Sequence, residues 1–240
     1  MNTSLLGRRQ FLARTIAASA AAGLRLPIRP SCAAQPVKPQ VTEAGWPGWR
    51  GLARDGQTAW LPEEFASELQ FRWRRPMSSQ GLAGVSVSGD RLIVVDRDLT
   101  DSQNIFRCLD ASTGAEKWTY TQQARGRLDY GNSPRATPLI DHDLVFLLGA
   151  FGHLACVELA TGHLVWSKNL RQEFSVRDTL IWGTCSSPLL VDGRLIVNPG
   201  APQASLAALD PESGDVLWTS RGEPAAYASF IVAELGGKRQ

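Results

Sequence analysis

Cysteine is scarce in this sequence, and its four cysteines among 240 residues form no adjacent, CxxC or CxxCH pair. The lack of CxxCH excludes a covalent c-type haem within the chain. Apart from Cys32 near the N-terminus, the cysteines are too few and too widely spaced for a disulfide framework. Cys108 and Cys156 occupy the same position in a repeat described below, where we expect small buried core side chains; a disulfide or a metal site is the alternative.

No long hydrophobic run is present either. The longest uncharged apolar stretch, Thr15 to Leu24, is ten residues long, whereas a membrane-spanning helix needs about 20. It follows Arg8 and Arg9 closely, an arrangement typical of a twin-arginine export signal. The sequence therefore predicts a signal peptide over 1–34, cut after Ala33 or Ala34. It also predicts a linker over 35–45, a periplasmic location and no transmembrane segment after signal removal.

The sequence lacks a concentrated basic run outside the leader. Five arginines lie in 1–34, and without them 20 Lys and Arg remain against 23 Asp and Glu. The densest remaining basic cluster is Arg72, Arg74 and Arg75, and we interpret these arginines as lying along the edge of one strand rather than as a basic patch. We therefore expect no nucleic-acid partner. No phosphate loop, nucleophile elbow, zinc-protease helix or dinucleotide fingerprint occurs.

Metal-ligand patterns are also missing. The segment Asp96–Asp101 spaces oxygen ligands as calcium loops do, but it has no glycine at the sharp turn, which favours a solvated loop. His142, His153 and His163 match no ligand spacing, and we interpret them as surface histidines at turns. No metal site is predicted.

An internal repeat is what the sequence does contain. Three segments share the pattern small, x, acid, x, x, Thr or Ser, Gly, three residues, Trp. The tryptophans lie 48 and 52 residues apart, and Trp73 lies 45 before the first. The pattern residues are Asp110, Thr113, Gly114 and Trp118 in the first segment, Glu158, Thr161, Gly162 and Trp166 in the second, and Asp210, Ser213, Gly214 and Trp218 in the third.

Each segment predicts a β-hairpin, because the acid and hydroxyl side chains bond the backbone of a tight turn and glycine supplies positive φ. An apolar strand pair precedes each hairpin, in 85–95, 138–148 and 188–197. Four short antiparallel strands per repeat, with no helical periodicity after the leader, are the unit of a β-propeller blade. We expect an all-β chain with blades at 76–120, 126–170 and 179–220, a fourth begun at Tyr227, and an outermost strand of a further blade at Leu69–Trp73.

The repeated tryptophan is best interpreted as structural. Burying a tryptophan removes roughly 200 Å² from water, worth at most about 5 kcal/mol. One per repeat at a fixed register would pack neighbouring blades together. The alternative is a stacking platform for sugars or bases.

The repeat resembles the tryptophan-docking motif of the quinoprotein alcohol dehydrogenase-like propellers, the PQQ-binding-like repeat proteins. The segments Trp46–Gly51 and Arg54–Gly56 resemble the N-terminal block of an exported bacterial branch related to the outer-membrane assembly propeller BamB. The resemblance covers 46–240 and implies seven or eight blades. The 166 residues from Arg75 to Gln240 hold about three and the start of a fourth, so we expect a truncated product with exposed edges.

Two functions are compatible with the resemblance. A PQQ-dependent alcohol or sugar dehydrogenase would need an Asp base, a Ca²⁺ site beside the quinone and, in many members, an adjacent cysteine pair, which the sequence lacks. The favoured alternative is a non-catalytic scaffold with no cofactor that binds an envelope protein or peptide. Loops at the channel mouth supply candidate binding residues, Tyr130, Arg135, Trp182 and Tyr227, because aromatics with arginine are typical of hot spots. These residues could equally line and plug the channel.

Overall fold

The computed structural model describes residues 35–36, 45–58, 64, 67–68, 70–177 and 180–240. The predicted signal peptide, with Arg8 and Arg9, lies outside the described residues, as does most of the predicted linker. Within the described residues, no helix has both the length and the apolar character that crossing a bilayer requires.

Fifteen short strands and one helical turn make up the described secondary structure. In chain order they are β1 Gln35–Pro36, β2 Ser86–Ser88, β3 Arg91–Arg97, β4 Gln103–Asp110, β5 Glu116–Gln123, β6 Leu139–Asp141, β7 Leu144–Leu148, β8 His153–Glu158, β9 Leu164–Asn169, α1 Leu170–Glu173, β10 Leu189–Val191, β11 Arg194–Val197, β12 Leu206–Leu209, β13 Val216–Ser220, β14 Ala233–Leu235 and β15 Lys238–Arg239.

The strands form three four-stranded antiparallel meanders, β2-β3-β4-β5, β6-β7-β8-β9 and β10-β11-β12-β13, referred to below as blades 1, 2 and 3. A hairpin of β14 and β15 begins a fourth sheet, and Gln35–Pro36 pairs with it as β1. The predicted all-β propeller architecture, with three blades and part of another, is confirmed. The turn between β10 and β11 shows how the sequence produces it: Asp192 and Gly193 both have positive φ, 50° and 67°, as a type I′ hairpin turn requires.

The core lies between the blades, and blade 2 shows how strand alternation builds it. On β7, Val145 and Leu147 pack towards blade 1, where they meet Ile93. The intervening Phe146 and Leu148 pack towards blade 3. Successive side chains of a strand point to opposite faces, so a strand buried on both faces reads as a continuous apolar run. Cys108 and Cys156 are free, fully buried members of these two clusters.

Three tryptophans, Trp73, Trp118 and Trp166, each reach the hairpin turn of the following blade. The indole N–H of Trp118 donates to Leu159 O at 2.9 Å, and its ring covers Gly162, where an added Cβ would lie 2.6 Å from the ring. Trp73 makes the same two contacts with blade 1, donating to Ala111 O and covering Gly114. Trp166 makes them with blade 3, donating to Pro211 O and covering Gly214. Trp218 has no such hairpin turn against it among the described residues and is 41% exposed.

The N-terminal segment 45–58 contacts the inner strands of blades 1 and 2 and the residues just before the inner strand of blade 3. Trp46 forms a backbone bridge with Val87 in blade 1, and Pro47 O accepts from the N–H of Ile140 in blade 2 at 2.7 Å. The buried guanidinium of Arg54 completes the path. It donates to Pro188 O at 2.7 Å and Ser187 O at 3.1 Å before blade 3, and to Phe230 O at 2.8 Å before the fourth sheet.

Three local expectations were wrong. The helical turn α1 was not expected: Asn169 caps it by accepting from the N–H groups of Arg171 and Gln172, and four residues are too few to show periodicity. Gln70–Trp73 is not a strand, since it has no strand partner among the described residues, although Trp73 still docks. His153 begins β8 and is half-buried, so it is not a surface turn residue.

Candidate binding face

Two kinds of connection share one side of the blades. In a four-stranded meander, the turn between the second and third strands lies at the same end as the connection to the next blade. These connections are 124–138, 170–188 and 221–232, and they contain all four predicted site residues. We call this side the connection face.

Three of the predicted residues meet in an aromatic cluster on the connection face. The rings of Trp182 and Tyr227 lie 4.6 Å apart between centroids, and Tyr130 meets Trp182 edge-on at 6.2 Å. The cluster is open to solvent, because Tyr130 is 78% and Trp182 42% exposed. Ile181, which the sequence reasoning missed, adds a 63% exposed apolar side chain beside it. Three successive blade connections therefore present one apolar, aromatic surface.

Arg135 occupies a different place from the one expected of a contact residue. Its guanidinium donates to the carbonyls of Ser133, Asp129 and Gly131 at 2.7–2.9 Å. Burial lowers the pKa of Arg135, while proximity to Cys185 and Tyr227 opposes that shift. The side chain thus fixes the loop in which Tyr130 adopts a positive φ of 61°.

The carboxylates of the calcium-like segment are engaged by the chain itself. Asp96 accepts from the N–H groups of Ser78 and Ser79 at 2.9–3.1 Å. Burial by itself raises the pKa of Asp96, but these hydrogen bonds lower it overall. Asp98 accepts from the N–H of Ser102 at 2.8 Å, and Asp101 pairs with Arg97. The segment is a self-capped turn, and none of its three carboxylates is free of these contacts.

Repeat-level comparison identifies the fold family. Two overlapping stretches, 66–178 and 127–239, match the family described as outer membrane protein assembly factor BamB. The chain belongs to this family.

Relatives within and near the BamB family carry different names. BamB of Yersinia pestis is 26% identical over 181 residues, covering 75% of this chain and 40% of the relative. Quinoprotein alcohol dehydrogenase PedH of Pseudomonas putida is 24% identical over 191 residues, covering 70% of this chain and 29% of the relative. The chain thus spans well under half of the length of these curated relatives. Among solved structures, BamB of Moraxella catarrhalis is 27% identical with a TM-score of 0.45, covering 66% of this chain and 41% of that one.

The BamB family fold does not by itself decide between an assembly factor and a quinoprotein enzyme. Ca²⁺ beside a quinone needs several oxygen ligands that converge. Over the part of the chain that the structure describes, no three His, Cys, Asp or Glu side chains group closely enough to hold a metal ion. The described residues therefore do not fit a PQQ–Ca²⁺ site.

Proposed function

We propose that this chain is a non-catalytic propeller scaffold of the cell envelope that binds a protein or peptide through the aromatic cluster of Tyr130, Trp182 and Tyr227. The observation that carries the proposal is that Trp182 packs on both Tyr130 and Tyr227, side chains of successive blade connections, while Trp182 and Tyr130 stay exposed. Tyrosine and tryptophan dominate binding hot spots because they bury much apolar area with few rotatable bonds. The name of the Yersinia pestis relative, an assembly factor, supports a protein partner.

The neighbourhood of the cluster favours a rigid docking surface. Arg135 fixes one contributing loop through three carbonyls. Gly183, next to Trp182, has a φ of 69°, and a Cβ there would lie 2.4 Å from Ala150 O. A surface held in its binding conformation loses little entropy when a partner docks.

A peptide-display selection against the whole chain tests this function. Selected peptides should lose about thirtyfold or more in affinity for Trp182→Ala, because removal of a hot-spot residue costs at least about 2 kcal/mol. Trp218→Ala is the matched control, since Trp218 is 41% exposed against 42% for Trp182 but lies on β13, away from the connection face. Equal affinity of wild type and Trp182→Ala, or equal losses in the two variants, would contradict the proposal.

The envelope location rests on Arg8 and Arg9 and their apolar run. Replacing both with lysine should leave the precursor uncut in the cytoplasm, as followed by cell fractionation and immunoblotting. Normal processing of the variant would rule out the twin-arginine route.

A further inference from the structure

A second feature of the connection face is a cavity of about 500 Å³ beside the aromatic cluster. Its walls come from the β5–β6 connection, the β7–β8 turn, the start of β8 and α1. Gly183, which directly follows Trp182 in the sequence, lines this cavity. Its volume lies within the roughly 300–1,000 Å³ typical of small-molecule sites.

The charged groups lining this cavity are all of one sign. Arg125, Arg127 and Arg171 line it, and none of the described lining residues is acidic. Arg125 and Arg127 are exposed and form no hydrogen bond or ion pair among the described residues. The Arg171 side chain lies against Gly152, where an added Cβ would be 3.0 Å from its Cγ. The guanidinium groups of Arg125 and Arg127 attract an anion to this concave space and can donate in pairs to its oxygens, and Arg171 adds positive charge to the same wall.

His153 adds an unused polar group to the same wall. It lines the cavity, and its Nδ1 is buried without a hydrogen-bond partner among the described residues. Burial lowers the pKa of His153, which favours the neutral form of the imidazole. A polar side chain in this wall favours a polar ligand over an apolar one.

The rest of the lining includes two polar side chains, Asn169 and Gln172, and an apolar part. Phe151 and Leu128 form part of the wall, and Gly126 lets Phe151 approach, since a Cβ at that position would lie 2.1 Å from the ring. Behind the ring, the buried guanidinium of Arg97 lies 5.7 Å from its centroid, but its charge is already paired with Asp101. The cavity thus combines a cationic lining with a small apolar wall.

We propose that this cavity binds a phosphate group, held by Arg125 and Arg127, with Arg171 and His153 in the same wall. The phosphate is either free or carried by a small organic ester whose apolar part packs on Phe151 and Leu128. This site is independent of the peptide-binding function proposed above, because it uses none of the three cluster aromatics.

Titration with inorganic phosphate and with phenyl phosphate, at constant ionic strength in chloride, tests the site on the whole chain. Isothermal calorimetry gives the affinities, and NMR reports the shifts of the Gly152 amide and the His153 ring. We expect saturable binding of at least one probe, with a loss of tenfold or more in the double variant Arg125→Gln/Arg127→Gln. Arg194→Gln is the matched control, because Arg194 is an exposed arginine at the start of β11, at the opposite end of the blades.

The two probes distinguish the sources of the phosphate. Tighter binding of phenyl phosphate supports an ester, and equal affinities support free phosphate. Absence of saturable binding by both probes overturns the proposal, as does an equal loss in Arg194→Gln, which would indicate non-specific charge attraction. Thermal melting without phosphate checks that the variants are folded. Loss of peptide binding in Trp182→Ala with phosphate binding intact would show that the two sites are separate.

Discussion

At the residue scale, the glycine of each repeat hairpin has two separable roles. Gly162 has a φ of 73° and lies beneath the Trp118 ring. Gly193 has a similar φ of 67° but has no other atom within 4 Å of an added Cβ. The pair therefore separates the backbone requirement for glycine from the requirement for space between blades.

Gly162→Ala should lower the free energy of unfolding by about 2–4 kcal/mol, the sum of left-handed strain and overpacking against Trp118. Gly193→Ala should lower it by about 1–2 kcal/mol, from strain alone. Urea unfolding of both variants measures the difference. Equal losses would show that the tryptophan contact contributes nothing to stability.

The buried thiols make a second residue-scale prediction. Burial raises the pKa of Cys108 to about 11 and that of Cys156 to about 12. The pKa of a cysteine in the unfolded chain is about 8.5. The neutral thiol is favoured in the fold, so its stabilising contribution is complete below about pH 8.5 and is lost as pH rises towards the folded pKa.

The free energy of unfolding should therefore fall above about pH 9, by up to ~1.4 kcal/mol per pH unit for each thiol. Cys156→Ala should reduce the slope of the unfolding free energy against pH by up to ~1.4 kcal/mol per pH unit between about pH 9 and 11, because one thiol is removed. Denaturation curves at several pH values measure the slopes, and the difference at pH 7 gives the packing loss alone. Parallel slopes for variant and wild type would contradict the assignment.

At the element scale, segment 45–58 joins the inner strands that the blade hairpins leave unconnected. Arg50 and Arg54 both lie over the Trp49 ring, at 5.5 and 5.2 Å. The Arg50 side chain is exposed and donates to the nearby Asp55 O, while the Arg54 side chain is buried and donates to carbonyls 133–176 positions away. Burial lowers the pKa of Arg54 to about 10, which still leaves it charged at pH 7.

Arg54→Ala should lower the free energy of unfolding by about 3 kcal/mol or more, since hydrogen bonds to a charged group contribute about 1.5–3 kcal/mol each and their carbonyls would lose a partner. It should also speed amide exchange before β10. Arg50→Ala is the control and should cost less than about 1 kcal/mol. If the two variants are equally stable, segment 45–58 does not hold the inner strands.

The same scale shows what sequence could predict. The repeat spacing gave the three meanders and the hairpin turns because alternation and turn chemistry are local properties. The hydrogen bonds of Arg54 could not be predicted from the sequence, because its carbonyl partners lie more than 130 residues away and no periodicity marks them. The cavity arginines could not be predicted for the same reason, because Arg125 and Arg171 are 46 positions apart and belong to no motif. Tyr130, Trp182 and Tyr227 could be named because each lies in an equivalent blade connection.

At the scale of the whole molecule, both proposed binding sites belong to the connection face. The aromatic cluster and the cationic cavity lie side by side on that face. Asp98 and Asp101 are engaged within their own turn, and Asp96 is engaged by the N–H groups of Ser78 and Ser79. We therefore expect the connection face to bind a partner without a quinone.

The most direct test of this assignment is to add PQQ and Ca²⁺ to the purified whole chain and to follow thermal melting together with PQQ absorbance after desalting. The account predicts an unchanged melting temperature and no PQQ retained with the protein. A stabilised melt with stoichiometric PQQ retention would contradict it and would assign the chain to the quinoprotein dehydrogenases.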